Sequence, residues 1–347
     1  MAYRFARHGC ALALLAAAVS CGGNTPTTDG ARVQINGAGA TFPYPIYSKW
    51  FSEYNKRHPN IEINYQSIGS GGGIRQVIAQ TVFFGATDGP MTGEQLKSAP
   101  GPILHLPMVL GAVVPVYNVP GTSGNLRFSG PLLADIYLGK IKKWNDPAIA
   151  KLNAGVTLPA TDIAVVHRSD GSGTTFIFVD YLSKVSEAFK STVGVNTSVN
   201  WPAGVGGKGN EGVAGLVAQT PGAIGYVELI YAQQNRIACG AVQNAAGEFV
   251  VASADSVTKA AAAATIPEDF RVSITNAPGA GAYPIASFTW LLLYSNPTDT
   301  TKSAAMVDFV TWALTEGQKF TTELGYAPLP ASVVKMEQAA VEKIKVS

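Results

Sequence analysis

The sequence predicts an α/β fold with mostly buried sheets, and three observations make that prediction. Short β-type runs alternate with helical patterns along the chain, as expected when strands are covered by helices. The 347 residues are 47% apolar and only 14% charged, enough to bury a large core and to build more than one lobe. The three cysteines, Cys10, Cys21 and Cys239, give no disulfide framework, so the core must carry the stability.

In chain order, the first segment reads as a leader. Arg4 and Arg7 form a positive start, and Cys10 to Val19 form an uncharged, mostly apolar run of the length of a signal h-region. That run is too short to span a bilayer. Small residues, Ala17 to Ser20, precede Cys21, which fits an export signal of residues 1–20 cleaved just before that cysteine. The pattern resembles a bacterial lipobox, with Ala18 where Leu or Val is usual; a plain secretory cleavage suits the same bond. Lipid modification of Cys21 is therefore an expectation, and any membrane attachment would be through that anchor. Loss of residues 1–20 removes two arginines and no acid, leaving 23 bases against 23 acids. No basic footprint for nucleic acid exists. Residues 21–31 are small, polar and turn-rich, as in a flexible tether, and the folded part should start near Val33.

From there, "IEINYQSIG" reads as a strand and "GIRQVIAQTV" as a helix; "VVPVYNV" follows, and "DIAVVHRS" is a further strand. "KSAAMVDFVTWALTEG" has helical apolar spacing and ends at Gly317, and "PASVVKMEQAAVEKIKV" has it again, opened by Pro330. Two β-rich runs, 111–119 and 283–296, stand out as possible crossovers between lobes. Cys239, in "RIACGAV", reads as a buried and inert thiol.

Several chemistries are excluded by spacing. "GAGATF" at 37–42 begins like a dinucleotide fingerprint, but Phe42 stands where the last glycine belongs. "GSGGGIR" and "GGKGNEG" lack the Gly-Lys-Ser/Thr ending of a phosphate-cradling P-loop. His8, His58, His105 and His167 show no metal-ligand spacing. "DGSGT" has Asp170 in place of the first glycine of a nucleophile elbow.

An anion site remains. "RSDGSGTTF" at 168–176 joins a strand to a helical pattern. Free N–H groups at a helix start attract anions, Gly171 and Gly173 allow close backbone approach, and Ser172 and Thr174 add hydroxyls. Arg168 adds a planar donor fork. An N-capped helix with a solvated arginine would show the same residues, and this stretch alone leaves both readings open. Thr41 and Ser70 stand at two further hydroxyl-bearing helix starts. Asp88 follows an apolar run and precedes a capping-box pattern at Thr92 and Gln95.

With these stretches assembled, the chain closely resembles the periplasmic phosphate-binding proteins of bacterial high-affinity phosphate ABC transporters. "GAGATFPYPIYSKW", "YQSIGSGGG", "DIYLGKIKKWND", "SDGSGTTF", "GKGNEGVAG" and "GAIGYVE" carry the resemblance, collinear from about Gly37 to about Val334. It implies a two-lobed periplasmic-binding-protein fold of type II, with lobes at 32–113 plus 284–347 and at 114–283, joined by two crossover strands. One dehydrated phosphate would lie in the cleft between them. The ligand set carried over is Thr41, the Phe42 backbone N–H, Ser70, Asp88, Arg168, Ser172, Gly173 and Thr174, with Asp170 holding Arg168. Gly71, Phe83 and His167 depart from common family residues, none of them at a ligand position.

The resemblance also implies a monomeric, non-catalytic carrier in the periplasm. It would need no cofactor or metal and would deliver phosphate to an inner-membrane permease. Sulfate or arsenate is the alternative ligand, an exported phosphatase the alternative activity, and a scavenging or adhesion lipoprotein a third possibility.

Overall fold

The computed structural model describes residues 32–122 and 124–346, so the readings for the leader, the tether and Cys21 lie outside the described residues. The chain opens with β1 (Val33–Gly39), α1 (Tyr44–Arg57), β2 (Ile61–Ser67), α2 (Ser70–Ile78), β3 (Phe84–Thr87), α3 (Gly93–Ser98) and the long β4 (Ile103–Tyr117). The middle holds β5 (Arg127–Phe128), α4 (Gly130–Tyr137), α5 (Pro147–Leu152), β6 (Ala164–Arg168), α6 (Gly173–Val185), α7 (Glu187–Thr192), β7 (Val205–Gly207), α8 (Gly209–Gln219), β8 (Ala223–Glu228) and α9 (Leu229–Gln234). It ends with β9 (Ala238–Cys239), β10 (Ala241–Gln243), β11 (Phe249–Val250), α10 (Ala254–Ala262), β12 (Ala286–Tyr294), α11 (Thr300–Thr315) and α12 (Ala331–Val341).

The main sheet runs β2-β1-β3-β12-β4-β8-β6-β7. Its first half is parallel through β2, β1 and β3, then antiparallel at β12 and β4; its second half sets β8 antiparallel to β4 and adds β6 and β7 in parallel. β4 belongs to both halves. Ile103–Ala112 pairs with β12, whereas Val113–Tyr117 pairs with β8. Nearly every side chain of β4 is buried, which explains a run rich in Val and Leu instead of an alternating pattern. Pro107 has no N–H to give the ladder, and it stands where the pairing with β12 slips by one residue between Thr289 and Trp290.

The sequence-predicted strands and late helices are found, with shifted ends. The run at 111–119 is the tail of a strand that starts at Ile103, and the run at 283–296 becomes strand only at Ala286. α11 stops at Thr315, a short 3₁₀ turn follows at Gly317–Phe320, and Pro330 caps α12. The Thr92–Gln95 capping box forms. Cys239 differs from expectation: it pairs with Val116 at the edge of β4 and is only half-buried, because β9 is too short to be covered on both faces.

Candidate functional site

Two sets of three parallel strands, β1–β3 in the first half of the sheet and β6–β8 in the second, run in opposite directions, so that their C-terminal ends meet where the halves join. Every residue of the expected ligand set lies at or just beyond one of these strand ends. Thr41 and Phe42 follow β1, Ser70 follows β2 and Asp88 follows β3; Arg168 closes β6, with Asp170 to Thr174 in the turn behind it. The start of α8, after β7, adds Asn210, and Glu228 closes β8. Ligand sites of open α/β sheets lie at such strand ends because the helix amino ends point there.

Ser70 begins α2 behind Gly69, whose φ of +87° is a left-handed conformation open to glycine. A side chain at Gly69 would also lie 2.3 Å from Asp170 Oδ2. From this position Ser70 Oγ accepts the Gly173 N–H at 3.0 Å and the Asp88 N–H at 3.2 Å. The Gly71 N–H donates to Gly171 O at 2.9 Å. The amino ends of α2 and α6 therefore meet head to head, one from each half of the sheet. Gly173 has no room for a side chain: a Cβ there would sit 2.5 Å from Ser70 Oγ and 2.6 Å from Asp88 Oδ2.

Ser172 is the N-cap of α6, its Oγ accepting the Thr175 N–H at 3.0 Å, which leaves the hydroxyl hydrogen to donate elsewhere. Thr174, in the first turn, is fully buried.

Arg168 is the one permanent charge among the proposed contacts. Its Nε donates to Asp170 Oδ1 at 2.8 Å and its Nη2 to Asp170 Oδ2 at 2.5 Å, a planar two-point pair. Its Nη1 is buried without a hydrogen-bond partner. Burial works to raise the Asp170 pKa, but the hydrogen bonds and charge of Arg168, with the Gly209 N–H at 3.0 Å, outweigh it and hold the carboxyl below its ordinary value. His167 beside it stacks on Trp201 at 5.2 Å and its Nδ1 bonds Arg168 O, which is a packing role.

Asp88 is buried, and burial pushes its pKa up to about 7, against the opposing hydrogen bond from Thr289, the charge of Arg168 and the Ser70 hydroxyl. Thr289 Oγ1, on the neighbouring β12, donates to Asp88 Oδ1 at 2.7 Å. Oδ2 faces Ser70 and Gly173. One oxygen is thus tied to the scaffold and the other points to the junction of the two halves.

Around Thr41 the backbone is fixed from the opposite side. Tyr231 OH donates to Thr41 O at 2.5 Å. The Thr41 carbonyl and the Phe42 N–H belong to one planar trans peptide and point in opposite directions, so this bond sets where the Phe42 N–H aims. Tyr326 OH holds the next carbonyl, Phe42 O, at 2.6 Å, while the Phe42 ring is buried in the core.

Sequence reasoning singled out the residues at the first turns and omitted those that hold them: Asn210, Tyr231, Thr289 and Tyr226, whose OH accepts the Arg168 N–H at 3.2 Å. Asn210 had a readable signal, a small polar residue directly after a glycine at a helix start, as at Ser70. The two tyrosines and Thr289 had none, since each reaches the site from a distant element. Among the described residues no group of three or more His, Cys, Asp or Glu is placed to hold a metal ion, and no helix is long and apolar enough to cross a membrane.

A PBP superfamily domain model matches residues 24–316. The phosphate-binding protein PstS of Pasteurella multocida is 52% identical over 308 residues, covering 88% of this chain and 89% of its own. The PstS of Methanocaldococcus jannaschii is 40% identical over 93% of this chain and 90% of its own. A solved phosphate-binding protein from Stenotrophomonas maltophilia has the same fold, with a TM-score of 0.68 at 17% identity over 89% of this chain and 94% of that one.

Proposed function

This chain belongs to the PstS phosphate-binding proteins of the PBP superfamily, and from that premise we propose that it captures inorganic phosphate outside the inner membrane and delivers it to a phosphate ABC permease. It acts as a binding protein and needs no cofactor. The observation that carries the ligand assignment is the Arg168 Nη1 donor, buried and unpartnered where helix amino ends converge, beside a buried acid.

In this reading the anion lies between the halves of the sheet. It takes donors from the Thr41, Ser70, Ser172 and Thr174 hydroxyls, the Phe42 and Gly173 N–H groups, and Arg168. Charge-assisted bonds contribute roughly 1.5–3 kcal/mol each and neutral ones about 1. Asp170 neutralises most of the arginine, so the bound charge is met mainly by dipoles that are already oriented.

Asp88 sets the choice of anion. Hydrogen phosphate has an O–H to give to Oδ2, whereas sulfate has none, and two desolvated acceptors would then face each other. A site built for a donor rejects an analogue lacking it by roughly 10⁴-fold. The lobes, taken as 32–113 with 284–347 and as 114–283, would bend about β4 and β12 to admit and release the anion, and the permease would recognise the closed form. Calorimetry of the ligand-stripped protein tests the whole reading: tight uptake of phosphate with no heat from sulfate is expected, and equal binding of both would overturn it.

A further inference from the structure

Asn210 is fully buried at the start of α8, and it does not cap that helix. Its side chain is instead spent on two hydroxyls. Nδ2 donates to Thr41 Oγ1 at 2.8 Å and to Thr174 Oγ1 at 3.2 Å, and the Asn210 backbone N–H adds a second bond to Thr41 Oγ1 at 3.2 Å. Which way the amide faces is settled by its other end: Oδ1 accepts the Glu228 N–H at 3.0 Å, so the nitrogen must face the threonines. Glu228 is itself fixed, its Oε2 capping α9 through the Ile230 N–H at 2.8 Å.

A hydroxyl has one hydrogen to donate and two lone pairs to accept with. Both lone pairs of Thr41 Oγ1 are filled by Asn210. Its hydrogen is then the one capacity left, and it must donate outward. Thr174 Oγ1 is biased the same way by one bond. Thr41 belongs to the first half of the sheet, Asn210 and Thr174 to the second, so the bonds to Thr41 exist only when the halves are together.

We propose that Asn210 is a positioning residue that polarises Thr41 and Thr174 as donors toward the bound anion, and does so only on closure. The inference rests on the phosphate-binding function above. Asn210 is assigned no contact with the anion; it acts through the two hydroxyls and couples their orientation to the approach of the halves. Tyr231, which reaches across to the Thr41 carbonyl, completes the grip on the same residue.

The discriminating substitution is Asn210→Asp. It keeps the shape and the Oδ1 acceptor for Glu228 but replaces the Nδ2 donor with an acceptor, which draws the Thr41 and Thr174 hydrogens away from the anion. Inorganic phosphate would be titrated by calorimetry and its release timed by stopped flow. Asn210→Ala is expected to weaken binding about 10- to 100-fold, chiefly through faster release, and Asn210→Asp to weaken it more than Asn210→Ala. Thr41→Val combined with Asn210→Asp should lose less than the sum of the two single losses, because part of the asparagine's effect passes through the Thr41 hydroxyl and only the part through Thr174 remains. A wild-type affinity in Asn210→Asp, or fully additive losses in the pair, would overturn the proposal. Should the wild-type chain take up no phosphate, the functional reading itself falls; a binding wild type with an indifferent Asn210→Asp removes this inference alone. Thermal unfolding of ligand-free Asn210→Asp is expected to match wild type, and a variant weakened only because it is unfolded would count against the positioning role.

Discussion

Ser70 Oγ and the Gly173 backbone nitrogen lie 3.0 Å apart, a hydrogen bond that joins the first residues of two helices in different halves of the sheet. Two positive helix ends facing each other repel unless something negative or strongly accepting lies between them. The serine oxygen serves partly as that acceptor, and an anion would serve better.

Gly173 is where this contact is least tolerant. A methyl group would intrude to 2.5 Å from Ser70 Oγ and 2.6 Å from the Asp88 carboxylate, so Gly173→Ala is expected to hold the halves apart and weaken phosphate binding about 10- to 100-fold. The thermal midpoint of the ligand-free protein should move little, because the clash is relieved by opening. Calorimetry and a melting curve on the same preparation check both statements.

Removing the arginine tests the charged part of the site. Arg168→Ala should cost roughly 1.5–3 kcal/mol of phosphate affinity, about 10- to 150-fold, and it also strands Asp170 without its partner. Pairing it with Asp170→Asn separates the two effects: the double variant should bind phosphate better than Arg168→Ala, since it no longer leaves a buried carboxylate unpaired beside the anion. Equilibrium dialysis with labelled phosphate distinguishes them.

Anion choice should follow Asp88. In wild type the preference for phosphate over sulfate is expected near 10⁴-fold, and Asp88→Asn should narrow it by about 100-fold, since an amide can offer either its oxygen or its N–H. Sulfate uptake by wild type should also improve as pH falls below about 7, where the carboxyl becomes protonated and can donate. Competition titrations at two pH values measure both effects.

Asp88 also makes the ligand-free protein sensitive to pH. Its pKa is raised from 3.8 to about 7, so between those values the native state keeps a proton that the unfolded chain has released. The stabilising contribution is complete below the unfolded value and is lost as pH rises through about 7, at a slope of no more than about 1.4 kcal/mol per pH unit. Denaturation at pH 5 and pH 8, without phosphate, should show wild type losing stability relative to Asp88→Asn at the higher pH. Glu337, raised by burial alone, contributes equally to both proteins and cancels, whereas Glu228, raised chiefly by burial and also by the Asp88 charge, is part of what the Asp88→Asn comparison reads.

The sequence made part of this site legible and hid the rest for definable reasons. Ser70, Ser172 and Thr174 were visible because a hydroxyl next to glycine at a helix start has a local cause. Asp88 was visible as an acid closing an apolar run, although its raised pKa was not, since burial by β12 and α2 is a tertiary fact. Thr289 lies 201 residues further along the chain from the carboxyl it supports, and no local pattern marks it. The α/β alternation was likewise plain, whereas the change of partner within β4 was not: a strand buried on both faces reads as one uninterrupted apolar run wherever its neighbours change.

That shared strand also governs how the molecule can be divided. A break in the chain at Val113 would leave Ile103–Ala112 beside β12 on one fragment and Val113–Tyr117 beside β8 on the other. Each fragment would expose a fresh apolar strand terminus where continuous backbone had run, inviting aggregation. The two halves are therefore not modules that could be produced separately or exchanged between relatives at this point; fusions, circular permutations and split reporters belong in surface turns such as that around Gly247, well away from β4.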